Sequence, residues 1–107
     1  MTNFSFCGVY VLCDTSGEVV YVGSSYVRNI DERLKQYLST SDTGNTLGKT
    51  IAKSLANTDK FDGAAKNKMK EGVEKIKTFK IYAVEHNDLE YKLVRCANPI
   101  YNRIGKA

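Results

Sequence analysis

Two short apolar runs near the amino terminus, separated by a turn sequence, constrain this fold more than any other feature of the chain. The runs read CGVYVLC and EVVYVG, and both are rich in the β-branched and aromatic residues that favour strands. The segment between them, Asp14-Thr15-Ser16-Gly17, is a good turn sequence. Residues 6–23 are therefore predicted to form a β-hairpin.

The position of the turn predicts which side chains meet across the hairpin. If the turn centres between Thr15 and Ser16, Tyr10 lies opposite Tyr21, with their Cβ atoms about 5 Å apart. The two phenols then share one face of the sheet. A three-residue bulged loop would shift this pairing by one residue.

Apolar residues at helical spacing follow the hairpin. They predict helices over residues 29–38, 47–56, 62–76 and 88–97, with a loop over 39–45 and a strand over 78–84. Arg33 and Tyr37 are four residues apart and share one face of the first helix. The element order is ββααβα or ββαααβα, so the expected fold class is α/β, of the α+β type.

Length and composition limit the class of protein. A chain of 107 residues that is 42% hydrophobic can bury one core, so we expect a single domain over residues 1–107. The cysteines, Cys7, Cys13 and Cys96, are widely spaced without a CxxC pair and favour neither a disulfide framework nor a zinc knuckle. We therefore expect a reducing, cytoplasmic location, with no secretion signal and no membrane span.

Positive charge is concentrated in the middle of the chain. Residues 49–80 hold nine lysines against four acids, although the whole chain has a net charge of +4. A lysine-rich strip is expected of a protein that binds a polyanion, because neutralising phosphates releases their counterions. The alternative interpretation is a solvated helical surface.

Two groups of residues resemble the GIY-YIG nuclease family. The first comprises Gly8-Val9-Tyr10, then Tyr21-Val22-Gly23, and Arg33 in DERLKQY. The second is Glu90 and Asn102 in LEYKLVRCANPIYN, which looks like the end of the nuclease domain in UvrC repair proteins. This resemblance implies a small three-stranded antiparallel sheet flanked by helices.

The resemblance covers residues 6–38 and 78–103 and leaves a lysine-rich helical insertion at about 39–77. Valine replaces isoleucine in both tripeptides, which keeps shape and polarity. Ser24 stands where many members have lysine. The gap between Gly23 and Arg33 is about two residues longer than is usual in the family, so the start of the helix that carries Arg33 is not determined by the motif.

The family resemblance implies a chemical role for each matched residue. Hydrolysis of a phosphodiester needs an activated water and neutralisation of growing negative charge. Glu90 would hold one Mg²⁺ or Mn²⁺ ion, the planar fork of Arg33 would bind the scissile phosphate, and Tyr10 would activate the water. The residues that would orient or brace these groups are Tyr21, Tyr37 and Asn102.

Each of these residues also has a purely structural interpretation. Glu90 follows Asn87 at capping-box spacing, Arg33 and Tyr37 could form a solvent-facing pair, and Tyr101-Asn102 could finish a turn. The coincidence of six suited positions in the family's order favours the nuclease.

The sequence thus predicts a metal-dependent endonuclease that cuts double-stranded DNA. The alternative is a module on the same scaffold that binds nucleic acid or protein without cutting. Oligomeric state, biological role and the choice of DNA over RNA do not follow from the sequence. The basic residues expected to contact nucleic-acid phosphates are Arg28, Lys49, Lys53, Lys66, Lys68 and Lys70.

Overall fold

A three-stranded antiparallel sheet organises the fold. The computed structural model describes residues 4–41, 44–85 and 99–105. Its strands are β1 (Gly8–Cys13), β2 (Val19–Ser25) and β3 (Lys80–Val84), in the order β2-β1-β3. The sheet and the helices packed on it confirm the predicted α+β class.

Four helices separate β2 from β3. The helices are α1 (Ile30–Gln36), α2 (Thr46–Leu55), α3 (Gly63–Lys66) and α4 (Met69–Ile76), and α5 (Ile100–Gly105) follows β3. Helix α1 begins as predicted, because the Asn29 side chain accepts a hydrogen bond from the Glu32 N–H at 2.8 Å. The helix predicted over 88–97 lies outside the described residues. Within them, no helix is long and apolar enough to cross a membrane.

The hairpin forms, but the predicted register is wrong. Tyr10 pairs with Gly23, and Tyr21 pairs with Leu12. Tyr10 and Tyr21 are therefore diagonal neighbours rather than direct partners. They still lie on the same face of the sheet, because both belong to the set of alternate positions that face one way.

Two local irregularities account for the register. The Asp14 N–H donates to the Glu18 carbonyl at 2.9 Å, so the loop has three residues and includes Gly17 at a φ of +88°. A β-bulge between Leu12 and Cys13 adds a second shift. A register shift of one residue would have placed Tyr10 and Tyr21 on opposite faces of the sheet. Two one-residue shifts in the same direction return them to the same face.

The single helix predicted over residues 62–76 is wrong, since α3 and α4 are separated by a turn. The Lys68 N–H donates to the Ala65 carbonyl at 2.9 Å, three residues back instead of four, which tightens the chain there. The apolar side chains at helical spacing are nevertheless buried, including Met69 and Val73 after the turn. The described element order therefore contains four helices before β3, one more than the longer predicted order and two more than the shorter.

Gly72 allows α4 to pack closely on α2. A Cβ at this position would lie 3.3 Å from the Gly48 carbonyl oxygen and 3.6 Å from the Ala52 nitrogen. The middle of the chain also contributes Leu47, Ile51 and Ile76 to the hydrophobic core. The lysine-rich segment is therefore packed into the fold, with its apolar side chains directed inward.

Candidate active site

Three tyrosines from three elements meet on one face of the sheet. Tyr10 lies on β1, Tyr21 on β2 and Tyr37 at the carboxyl end of α1. Ring centroids are 6.1 Å apart for Tyr10 and Tyr37, 6.3 Å for Tyr21 and Tyr37, and 6.4 Å for Tyr10 and Tyr21. The hydroxyls of Tyr10 and Tyr37 are hydrogen-bonded to each other. The structure thus brings together the three phenols that the sequence singled out.

The three phenols differ in their access to solvent. Tyr10 and Tyr37 have no exposed surface, whereas Tyr21 is partly exposed. Desolvation raises the pKa of Tyr10 to about 12, and it also raises the pKa of Tyr37. Both buried phenols are therefore neutral at neutral pH, and Tyr21 is the member of the cluster that solvent can reach.

Arg33 lies beside the cluster. Its Cζ atom is 5.7 Å from the centroid of the Tyr37 ring, which confirms that these two residues share one face of α1. Its Nη1 donates to the Gln36 side chain at 3.2 Å. Desolvation lowers the pKa of Arg33, but the Tyr37 and Tyr10 phenols outweigh it and the net shift is upward. Arg33 is thus a cation at every relevant pH.

The Nε atom of Arg33 is buried and has no hydrogen-bond partner within the described part of the chain. A buried donor without a partner costs on the order of 1–3 kcal/mol. An anion that completes this donor set would recover that cost.

The two motif glycines are explained by close approaches. A Cβ on Gly23 would lie 2.5 Å from the Tyr10 hydroxyl oxygen, so the Tyr10 side chain occupies the space of the missing side chain. A Cβ on Gly8 would overlap the Val84 carbonyl oxygen and lie 2.9 Å from the Glu85 Cα. Gly8 therefore permits the approach of β3, and Gly23 permits the position of the phenol.

Asn102 holds the middle of β2 from outside the sheet. Its side-chain oxygen accepts a hydrogen bond from the Val22 N–H, and its amide donates to the Val22 carbonyl, both at 2.8 Å. Strand β2 is an edge strand, so Asn102 takes the place of a neighbouring strand at this point. The alternative in which Tyr101 and Asn102 finish a turn is wrong, because both lie in α5 and Tyr101 is buried.

A comparison with protein families agrees with this geometry. A family model described as the GIY-YIG catalytic domain matches residues 6–103. The chain belongs to the GIY-YIG family. GIY-YIG catalytic domains are typical of nucleases, and GIY-YIG nucleases act on DNA. A search of curated proteins finds no significant match.

The metal ligand expected of a GIY-YIG nuclease, Glu90, lies outside the described residues, as does Asn87 of the alternative capping box. Among residues 4–41, 44–85 and 99–105, no group of three or more His, Cys, Asp or Glu side chains could hold a metal ion. The described donors around the phenols are neutral hydroxyls and a guanidinium.

Asn45 was not predicted from the sequence, although it contacts Tyr37 of this GIY-YIG site. It is fully buried, and its side-chain oxygen caps α2 by accepting from the Gly48 N–H at 2.9 Å. Its amide donates to the Tyr37 carbonyl at 3.0 Å and to the Ser39 carbonyl at 2.7 Å. An asparagine directly before an apolar helical run is a recognised N-cap signal, and it could have been identified on that basis.

The basic residues predicted to bind nucleic acid differ in their surroundings. Lys49 and Lys53 lie one turn apart on α2, whose sequence contains no acid, and the Lys49 ammonium is 5.5 Å from the Phe61 ring centroid. By contrast, Lys68 forms an ion pair with Glu71 at 3.3 Å, which offsets part of its charge. The remaining lysines, both exposed on α3 and α4, are Lys66 and Lys70.

Arg28 lies in the connection that the sequence showed to be longer than the GIY-YIG norm. Residues 26–28 form an exposed bend in which Val27 is 97% exposed. The Arg28 carbonyl accepts hydrogen bonds from the Ser25 hydroxyl at 2.6 Å and from the Cys7 thiol at 3.3 Å. The bend is thus held at its base while the Arg28 side chain faces solvent.

Proposed function

We propose that this GIY-YIG protein is a metal-dependent endonuclease that hydrolyses phosphodiester bonds in double-stranded DNA. The observation that carries the proposal is the buried Arg33 Nε, which has no described acceptor and lies beside three clustered phenols. A phosphate offers the acceptor that this donor lacks. Water activation and phosphate binding can then occur side by side.

Arg33 is the proposed phosphate ligand. A guanidinium presents several donors in a planar fork, which matches the oxygens of a phosphate. Nη1 already donates to Gln36, which orients the fork while Nε is left to the substrate. In the transition state, the permanent charge of Arg33 would stabilise negative charge on the non-bridging oxygens.

Water activation is assigned to the phenol cluster as a whole. The family resemblance favours Tyr10, but Tyr10 is fully buried, and its raised pKa keeps it protonated at neutral pH, so it cannot accept a proton from water by itself. We assign the contact with the attacking water to the partly exposed Tyr21. The Tyr21 ring packs against the Tyr37 ring, with centroids 6.3 Å apart, and Tyr37 is bonded to Tyr10, so the buried pair would polarise the outer hydroxyl from behind.

Glu90 is the proposed ligand of one Mg²⁺ or Mn²⁺ ion. Its carboxylate would supply the hard anionic oxygen that such ions prefer. When bound, the ion would neutralise charge on the phosphate and on the departing oxygen. Asn102 would keep β2, and with it Tyr21, in place during the reaction.

The lysines of the middle segment are the proposed contacts for the DNA backbone. Phosphate contacts provide affinity without reading sequence, and Lys49 and Lys53 are the pair on an acid-free helix. A cytoplasmic location also stays part of the proposal, and it is supported by the free thiols of Cys7 and Cys13.

The decisive experiment is cleavage of supercoiled plasmid at low salt, with Mg²⁺ or with EDTA. The natural protein is compared with Glu90→Ala and with Glu85→Ala, which removes an exposed glutamate close by in the sequence. We expect metal-dependent nicking or linearisation by the natural protein and by Glu85→Ala, and none by Glu90→Ala. Equal cutting by all three proteins would refute the assignment of Glu90. Binding without cutting in every protein would support the binding module instead.

A further inference from the structure

A buried asparagine outside the family motif connects α1 to α2 directly behind the phenol cluster. Asn45 has no exposed surface, and all of its described hydrogen bonds involve backbone groups. Its amide reaches the Tyr37 and Ser39 carbonyls, at 3.0 and 2.7 Å, and its oxygen accepts from Gly48 at 2.9 Å. One side chain therefore satisfies groups at the end of one helix and at the start of the next.

This contact acts on a residue of the site. Tyr37 is the C-cap of α1, where carbonyls no longer have partners within the helix. Its side chain bonds to the Tyr10 hydroxyl and lies under Arg33. Holding the Tyr37 carbonyl thus restrains the backbone from which the central phenol of the cluster projects.

The surroundings of Asn45 leave its side chain little freedom. A Cβ at Gly48 would lie 2.5 Å from the Asn45 amide nitrogen and 2.9 Å from its oxygen. Any larger residue at position 48 would displace the asparagine. The lack of a side chain at Gly48 therefore leaves the space in which the Asn45 side chain makes its hydrogen bonds.

We infer that Asn45 is a positioning residue for the nuclease reaction, which acts by fixing the Tyr37 phenol between Tyr10 and Arg33. This inference rests on the proposed nuclease function. A phenol that is displaced slightly would still allow folding and DNA binding. It would no longer align Tyr21 and the guanidinium for the reaction.

The test is Asn45→Ser, because serine keeps an oxygen that can cap α2 but cannot donate to both the Tyr37 and Ser39 carbonyls. The matched control is Asp62→Ala, which removes the cap of α3 at the Ala65 N–H. With DNA at saturation, we expect Asn45→Ser to lower the single-turnover rate about ten-fold or more, with little change in DNA affinity. Asp62→Ala should leave the rate of its folded fraction unchanged.

A double-mutant cycle distinguishes positioning from general stability. In a Tyr37→Phe background, which already lacks the hydroxyl, adding Asn45→Ser should change the rate by less than about two-fold. An equally large loss in both backgrounds would overturn the inference. So would a loss that merely follows the fraction of unfolded protein, as judged by circular dichroism.

A second readout does not depend on DNA cleavage. Ionised phenols absorb near ~295 nm, and the buried Tyr37 has a raised pKa among Tyr10, Tyr21 and Arg33. If Asn45 positions Tyr37, the folded Asn45→Ser protein should ionise an additional phenol at lower pH than the natural protein. An unchanged titration would overturn the inference. An altered titration in a protein that cuts no DNA would uphold the positioning of Tyr37 and reject the nuclease proposal instead.

Discussion

Tyr10 lies across the sheet from Gly23, and its hydroxyl-bearing end occupies the place where a side chain at position 23 would begin. A Cβ there would come within 2.5 Å of both the Cζ and the hydroxyl oxygen of Tyr10. The glycine of the second tripeptide and the tyrosine of the first are thus parts of one contact. This contact places a phenol under the middle of β2 and joins the two tripeptides physically.

Gly23→Ala is therefore expected to disturb both the stability and the activity. The added methyl group must push the Tyr10 ring away, and overpacking of this kind costs about 1–3 kcal/mol. The control is Gly63→Ala, because nothing lies within 4 Å of a Cβ at position 63. Urea unfolding should show a lower free energy for Gly23→Ala and an equal or higher one for Gly63→Ala. Equal stability of Gly23→Ala and the natural protein would contradict the close contact.

Asn102→Ala should free the backbone of Val22. Both described hydrogen bonds of the Asn102 side chain go to this residue, and losing them leaves a donor and an acceptor on the edge of β2. We expect a loss of about 1–3 kcal/mol in stability and faster hydrogen exchange of the Val22 amide, measured by nuclear magnetic resonance. Asn67→Ala, at an exposed asparagine, is the control. Unchanged Val22 exchange in the Asn102 variant would show that the clamp is absent in solution.

Substitutions of the phenols test which one meets the water. Tyr21→Phe should lower the cleavage rate at saturating DNA by about 100-fold or more, as expected when a group that activates water is lost. Tyr10→Phe should reduce the rate less, because Tyr10 is fully buried and bonded to Tyr37. Single-turnover rates for the two variants measure the difference. A larger loss for Tyr10→Phe would return the role of water activator to Tyr10.

Alkaline pH should destabilise the protein through Tyr10. Its pKa is about 12 in the folded protein against an ordinary value of 10.0. Above the ordinary value, the unfolded chain releases the phenol proton while the folded protein keeps it, so stability falls as pH rises from 10 to about 12. A difference of this size corresponds to a loss of about 3 kcal/mol in the free energy of unfolding. Urea unfolding from pH 8 upward should show this fall, and Tyr10→Phe should make it smaller. An equally steep fall in Tyr10→Phe would exclude Tyr10 as its source.

Lysines on α2 should contribute more to DNA binding than lysines paired with glutamates. Replacing both Lys49 and Lys53 by glutamine should reduce the slope of log affinity against log salt by about 0.9 for each lost phosphate contact. The matched double change is Lys68→Gln with Lys77→Gln, because these two lysines are paired with Glu71 and Glu74. The Lys68 and Lys77 double variant should reduce the slope by less than the Lys49 and Lys53 double variant does. Equal slopes for the natural protein and the Lys49 and Lys53 variant would refute this DNA contact.

Local features of the site were predictable from sequence because they follow from short periodicities. The cap at Asn29 and the shared face of Arg33 and Tyr37 depend on residues within one or two turns of α1. The strands of the hairpin follow from their β-branched and aromatic residues. In each case the interacting residues are close in sequence, so the spacing itself carries the information.

The register of the hairpin and the role of Asn45 were not predictable in this way. The register depends on a bulge between Leu12 and Cys13 and on the loop that Asp14 closes with Glu18, and several registers fit the same apolar pattern. The contacts of Asn45 with Tyr37 depend on how α1 and α2 are placed relative to each other. Neither arrangement is encoded by the spacing of any single segment.

The sequence by itself determined the family, the α+β class, the strands of the hairpin and the set of residues that could carry the chemistry, because residue type and spacing are local properties. Only the tertiary structure decided that Tyr10 lies under Gly23, that Tyr37 joins the two sheet phenols, and that Tyr21 is the phenol left partly open to solvent. It also placed Asn102 on Val22 across the edge of β2. Burial and hydrogen bonding between distant segments arise when helices and sheet pack together, and they set the pKa of each phenol and the donors left for a phosphate.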